Sequence, residues 1–190
     1  MLPVEYLKRE HVLIAEFIDI LDHMKYKLLT KQFVETKDLK FVVEFIKGFI
    51  DCIHHQKEEL ILYPVLADME ADEKDDVIKE LMSEHDIVRG LLVYLEDRLD
   101  RSVFFIHHPK RVAYFIEDYI VKMKHHMYVE ETGIFRFAEE RLTAMENRDI
   151  WQKFEAFEEE ITTERVEYFY TVINEYKTNY FIPSNPVGLV

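Results

Sequence analysis

Residues 52–64, CIHHQKEELILYP, set two histidines and two glutamates inside a run of large apolar side chains. An unpaired charge held away from water is destabilising by several kcal/mol, so these groups must either satisfy one another or hold a cation. If the stretch is helical, steps of three and four from His54 meet Val43, Ile46, Ile50, Glu58, Ile61, Leu62 and Val65, an apolar stripe broken only by the histidine and Glu58. Steps from His55 meet Asp51 and Glu59, which predicts a solvated or rim pair. The inward pair is therefore His54 and Glu58.

The arrangement returns in KHHMYVEETGIF, residues 124–135. His126 has Glu130 four positions on, whereas His125 has Val129 there, and the stripe around His126 runs through Phe115, Tyr119, Met123, Ile134 and Phe137. An aromatic side chain follows at the matching position in both copies, Tyr63 and Phe135. Two more histidines complete a repeat: His11 stands among Leu7, Ile14, Ala15 and Ile18, and His85 among Ile78, Leu81, Val88 and Leu92. Each half is thus a helix with one inward histidine followed by a helix with an inward histidine and glutamate. Residues four apart lie about 6 Å along one helix face, so each His-x-x-x-Glu pair can deliver a nitrogen and a carboxylate to one level. Four imidazoles and two carboxylates form a dinuclear ligand set: carboxylates bridge ions roughly 3.5–4 Å apart, and mixed N/O ligation suits iron, with manganese and zinc also acceptable. A bridging oxide or hydroxide would offset the remaining positive charge. An internal His–Glu hydrogen-bond network without metal is the alternative that the pattern leaves open.

Such a constellation needs rods to hold it. Four glycines and five prolines in 190 residues leave few breaks, and apolar positions recur at helical spacing in five segments, near 4–29, 37–67, 72–101, 110–143 and 147–178. Thr36, Pro109 and Asn147 mark helix starts, Pro64 predicts a kink or early stop, and the tail FIPSNPVGLV reads as irregular. The expected fold is all-α: an up-down-up-down four-helix bundle over 1–145, with an aromatic-rich helix and tail over 146–190 packed outside it or across one end. That last segment carries Trp151, Phe154, Phe157, Phe169, Tyr176 and other rings, which predict a core-edge cover or a homodimer interface; a tyrosine or Glu159 from it would be an extra ligand if it capped the bundle.

Composition excludes several function classes. A chain of this length buries about two thirds of its unfolded surface without a staple. A single cysteine, Cys52, excludes an internal disulfide framework and reads as packing; with no apolar leader at the N-terminus, the expected compartment is the cytoplasm. No segment supplies the ~20 apolar residues of a membrane span. A formal charge of −14, from 38 acidic and 24 basic residues, opposes nucleic acid and anionic lipid as partners. His23, His55, His107, His108 and His125 read as surface or helix-end residues, with His125 also placed to serve as an outer partner of a ligand.

The stretches EHVLI, HHQKEELILYP, EHDIVRGL and HHMYVEETGIF resemble the hemerythrin-like family, the HHE cation-binding domains, over residues 1 to about 143. The resemblance implies an oxo- or hydroxo-bridged non-haem diiron centre in a four-helix bundle, with ligands at His11, His54, Glu58, His85, His126 and Glu130. Oxygen-carrying members use a fifth histidine one turn from the position matching His85; here Leu81 and Arg89 stand there, and the last carboxylate comes four rather than five positions on. The four-histidine, two-glutamate set is instead similar to that of bacterial members that handle nitric oxide or repair iron-sulfur centres, without their cysteine-bearing N-terminal segment. The expected function is binding of a small oxygen species or nitric oxide for sensing, storage or detoxification. The alternatives are a diiron enzyme that reduces peroxide or nitric oxide or donates iron for cluster repair, and a metal-stabilised bundle that docks a partner.

Overall fold

A computed structural model describes residues 1–69, 72–100, 108–161 and 163–180. Among them there is no strand. Helix α1 spans Pro3–Leu29, and α2 spans Thr36–Phe45. The α2 rod continues through π-helical turns at Ile46–His55 and Glu58–Leu62 into α3, Tyr63–Ala67. Helix α4 spans Asp72–Asp100; α5, Pro109–Val129, continues through a π-helical turn at Glu130–Ile134 into α6, Phe135–Arg141. Two further helices follow, α7 at Ala144–Ile161 and α8 at Thr163–Tyr180.

Burial dictates how the rods run. The apolar interior is two clusters, one including Phe17, Ile50, Leu92 and Met123, the other Leu7, Leu62, Leu81 and Phe135. Following the chain, α1 passes from the second cluster to the first, the α2–α3 rod returns, α4 passes up again and α5–α6 comes back. That order is the expected up-down-up-down bundle. Each fully buried Phe or Leu contributes about 1.5–3 kcal/mol as an upper estimate. Between the clusters every rod crosses one level where the buried residues are histidine and glutamate.

The chain beyond the bundle forms two helices rather than one, and they lie along its side. Helix α7 buries Ile150 and Phe154 in the second cluster, and α8 buries Val166, Phe169 and Ile173 in the first. Close approach at Gly48 makes room for this: a Cβ there would sit 2.6 Å from the Phe169 ring. The aromatic face is thus spent on the bundle edge. Three local expectations are corrected. The N-cap of α7 is Thr143, which exchanges hydrogen bonds with Glu146 in a capping box, and Asn147 lies inside the helix. Thr36 is the first helical residue and Glu35 the cap position. Pro64 does not stop its rod, because it sits in the first turn of α3, just past a π-helical run, and the helix continues to Ala67. His107 and the tail 181–190 lie outside the described residues.

Candidate metal centre

All six residues singled out by spacing meet at the polar level: His11 from α1, His54 and Glu58 from the second rod, His85 from α4, and His126 and Glu130 from the fourth rod. All are buried. The imidazoles converge in pairs, with His11 Nε2 and His54 Nε2 3.1 Å apart and His85 Nε2 and His126 Nε2 2.9 Å apart. Each carboxylate turns one oxygen to each pair. Glu58 Oε1 lies 3.5 Å from His54 Nε2 and Oε2 lies 3.8 Å from His85 Nε2; Glu130 Oε2 and Oε1 each lie 3.2 Å from His11 Nε2 and His126 Nε2 respectively.

An outer ring of carboxylates fixes these rings. His11 Nδ1 meets Glu131 (2.9 Å), His54 Nδ1 meets Glu10 (2.9 Å), His85 Nδ1 meets Glu59 (2.6 Å) and His126 Nδ1 meets Glu84 (2.7 Å). A neutral imidazole whose Nδ1–H donates to a carboxylate has only a lone pair at Nε2. Each close Nε2 pair is then two acceptors facing one another, which is repulsive unless a cation or proton lies between. The carboxylates make the same demand: both oxygens of Glu58 and Oε2 of Glu130 are buried without a hydrogen-bond donor. Two metal–nitrogen bonds of about 2.1 Å at a right angle hold their nitrogens about 3.0 Å apart, against about 3.4 Å at the tetrahedral angle. The observed separations are short enough for two nitrogens on one cation, and equally suit an N–H···N hydrogen bond when one ring is protonated. The donor set therefore fits cation binding at this level.

Electrostatics agree with that demand. Burial, reinforced by Glu130 alongside, pushes the Glu58 carboxyl well above its ordinary range: two carboxylates cannot both ionise here unaided. Burial opposes charge on His126, but Glu130 and Glu84 outweigh it and lift that imidazole to about 9, so that a proton fills the cation's role when no metal is bound. Burial dominates at His54, which falls to about 4. Glu10, although buried, is held low by the Lys57 ammonium and by His54.

Several participants were not expected from sequence. His55 is no rim residue: it is fully buried, stacked on His85 with centroids 3.7 Å apart and planes at 10°, and grouped with Glu58, His85 and His126 around one candidate ion position. The cause is the π-helical register. Neighbours in an α-helix project about 100° apart, sending one of two adjacent histidines outward; the wider π turn lets both face inward. His125, in an α-helical stretch, is exposed, and the outer partners are carboxylates instead. Glu59 is at the rim as expected, but bound to His85 and to Arg89 rather than paired with His55. Tyr63 donates to Glu130 Oε1 at 2.6 Å, and its counterpart Phe135 stacks on His11. Lys57 is buried between Glu10 and Glu158 of α7, while Glu159 is exposed and no C-terminal tyrosine joins the described centre. A signal for the outer ring was present: every outer glutamate is the chain neighbour of an inner ligand, as Glu10-His11, Glu58-Glu59, Glu84-His85 and Glu130-Glu131.

The family model for the hemerythrin HHE cation binding domain matches residues 2–138. No curated protein and no solved structure gives a match.

Proposed function

The chain belongs to the hemerythrin HHE cation-binding domain family, and from that premise we propose a non-haem diiron protein that binds a small oxygen species or nitric oxide for sensing, storage or detoxification. One observation carries the reading: two close pairs of Nε2 atoms, each ring held at Nδ1 by an outer carboxylate, share two buried carboxylates that turn an oxygen to each pair. His11 and His54 would hold one ion, His85 and His126 the other, and Glu58 and Glu130 would bridge them. The mixed imidazole and carboxylate donor set suits iron, with manganese or zinc also possible. When bound, an iron pair would supply one-electron redox steps and open positions for a small ligand. The outer glutamates hold each imidazole in the ligating tautomer and raise its basicity. No helix among the described residues is long and apolar enough to cross a membrane.

A second reading, reduction of peroxide or nitric oxide, is favoured by Tyr63, whose hydroxyl, donated to Glu130, puts a proton at the edge of the centre. One experiment separates the two. Iron-loaded, reduced protein is exposed to air: a carrier or sensor develops a stable charge-transfer band that reverses on removing oxygen, whereas an enzyme oxidises irreversibly and turns over added peroxide. Absence of iron uptake would contradict both.

A further inference from the structure

The four outer glutamates are not equivalent. Glu131 and Glu84, behind His11 and His126, are partly exposed. Glu10 and Glu59, behind His54 and His85, are each shared with a cation. Glu10 is fully buried and takes Lys57 Nζ on Oε1 while its Oε2 meets His54 Nδ1; Glu59 Oε1 meets both His85 Nδ1 and Arg89 Nη2, the latter at 2.6 Å. The internal repeat breaks at these two cations. Counted from the matched histidines, Lys57 stands where the fourth rod has Val129, and Arg89 stands where α1 has Ala15. Each close pair of imidazoles therefore has one ring backed by a carboxylate that a cation holds and one backed by a carboxylate that water reaches.

The two cations differ in setting. Arg89 is partly exposed and also bonds Asp51 and Asp86. Lys57 has no exposure: its ammonium donates to Glu10 and, at 2.6 Å, to Glu158 of α7, and it lies 4.5 Å from the centre of the Tyr6 ring. Removing one member of such a buried set is costly, but apolar side chains in place of the whole set are often as stabilising, so stability alone does not account for it. What the ammonium does locally is fix Glu10. With Oε1 held from one side, the carboxylate is kept from turning away from His54, and a carboxylate fixed on Nδ1–H sets both the tautomer of that ring and the direction of its Nε2 lone pair.

We propose that Lys57 is a positioning residue for the ion position of His11 and His54: it acts through Glu10 on His54, and Glu158 holds it there, so that α7, a helix beyond the family-matched segment, forms part of one ion position and not of the other. This rests on the diiron reading and adds that its two positions are inequivalent, the second being set from α4 by Arg89 through Glu59 on His85.

The test uses the full chain, loaded with isotopically enriched ferrous iron without oxygen, and reads the Mössbauer spectrum and the release of iron to a chelator. Lys57→Met should move the quadrupole doublet of one iron and weaken the binding of that iron about tenfold, the low end for loss of an outer partner, while the other iron keeps its doublet and its affinity. Glu158→Gln should move the same doublet by less, and Arg89→Met should move the other one. Equal weakening of both irons in Lys57→Met, the mark of a purely structural role, would overturn the proposal. So would a wild-type spectrum and release rate, or a shift of the same doublet by Lys57→Met and Arg89→Met. Should Lys57→Met not fold, an unchanged spectrum in Glu158→Gln, at a partly exposed residue, overturns it independently. Failure of the wild-type chain to take up iron would instead sink the diiron reading beneath it.

Discussion

In the proposed diiron reading Glu58 and Glu130 would each serve both ions, and Glu58 stands in both candidate groups of ligands, whereas His126 stands in one. Glu58→Ala should abolish iron binding, His126→Ala should lower it to one ion per chain or fewer, and His125→Ala should leave two; metal analysis of the three purified variants decides this. With no metal bound, the raised His126 imidazole gives the protein a pH signature. His126 rises from 6.5 to about 9 in the folded chain, so its contribution to stability is full below pH 6.5 and is lost as pH rises through 9. The melting temperature of the metal-free protein should fall across that window, and His126→Gln should flatten the slope; an unchanged slope would remove His126 as its source. His54 and Glu58 were legible in sequence because a four-residue spacing on an apolar stripe leaves a polar pair no direction but inward. His55 was not, since its place follows from a local change of helical register that α-helical spacing cannot reveal.

Among the elements, the second rod and α7 are tied by one buried cation. Lys57 has no exposure; it bonds Glu10 and, at 2.6 Å, Glu158, while the hydroxyl of Tyr6 donates to Glu158 at 2.8 Å. Since Glu10 also holds His54, this links a helix beyond the family-matched segment to the ring of a candidate ligand. Lys57→Ala leaves Glu10 buried without its cation and should destabilise the protein by roughly 3–5 kcal/mol, read from denaturant unfolding. A cost below about 1 kcal/mol would mean that the tie is not structural. The side-packed position of α7 and α8 was only partly legible: aromatic spacing predicted a covering face, but not the break between the helices or the contact of Glu158 with Lys57. Those depend on long-range packing, such as Phe169 against Gly48, which no local pattern encodes.

At the scale of the whole molecule, two apolar clusters clamp a single polar level, and four passes of the chain through that level bring both halves of a sequence repeat onto a shared centre. The bundle was readable because hydrophobic period and the scarcity of breakers leave one architecture that buries the stripes. The stacking of His55 and the Tyr63 hydrogen bond were not, since these arise where the two halves differ. The central claim is that the level is a cage for two bridged cations. X-ray absorption at the iron edge on protein reconstituted without oxygen and then oxidised tests it most directly. The account predicts two irons per chain, nitrogen and oxygen ligands only, and an iron–iron distance on the order of 3.5 Å. A single ion with no neighbouring metal, or no bound iron at all, would contradict it.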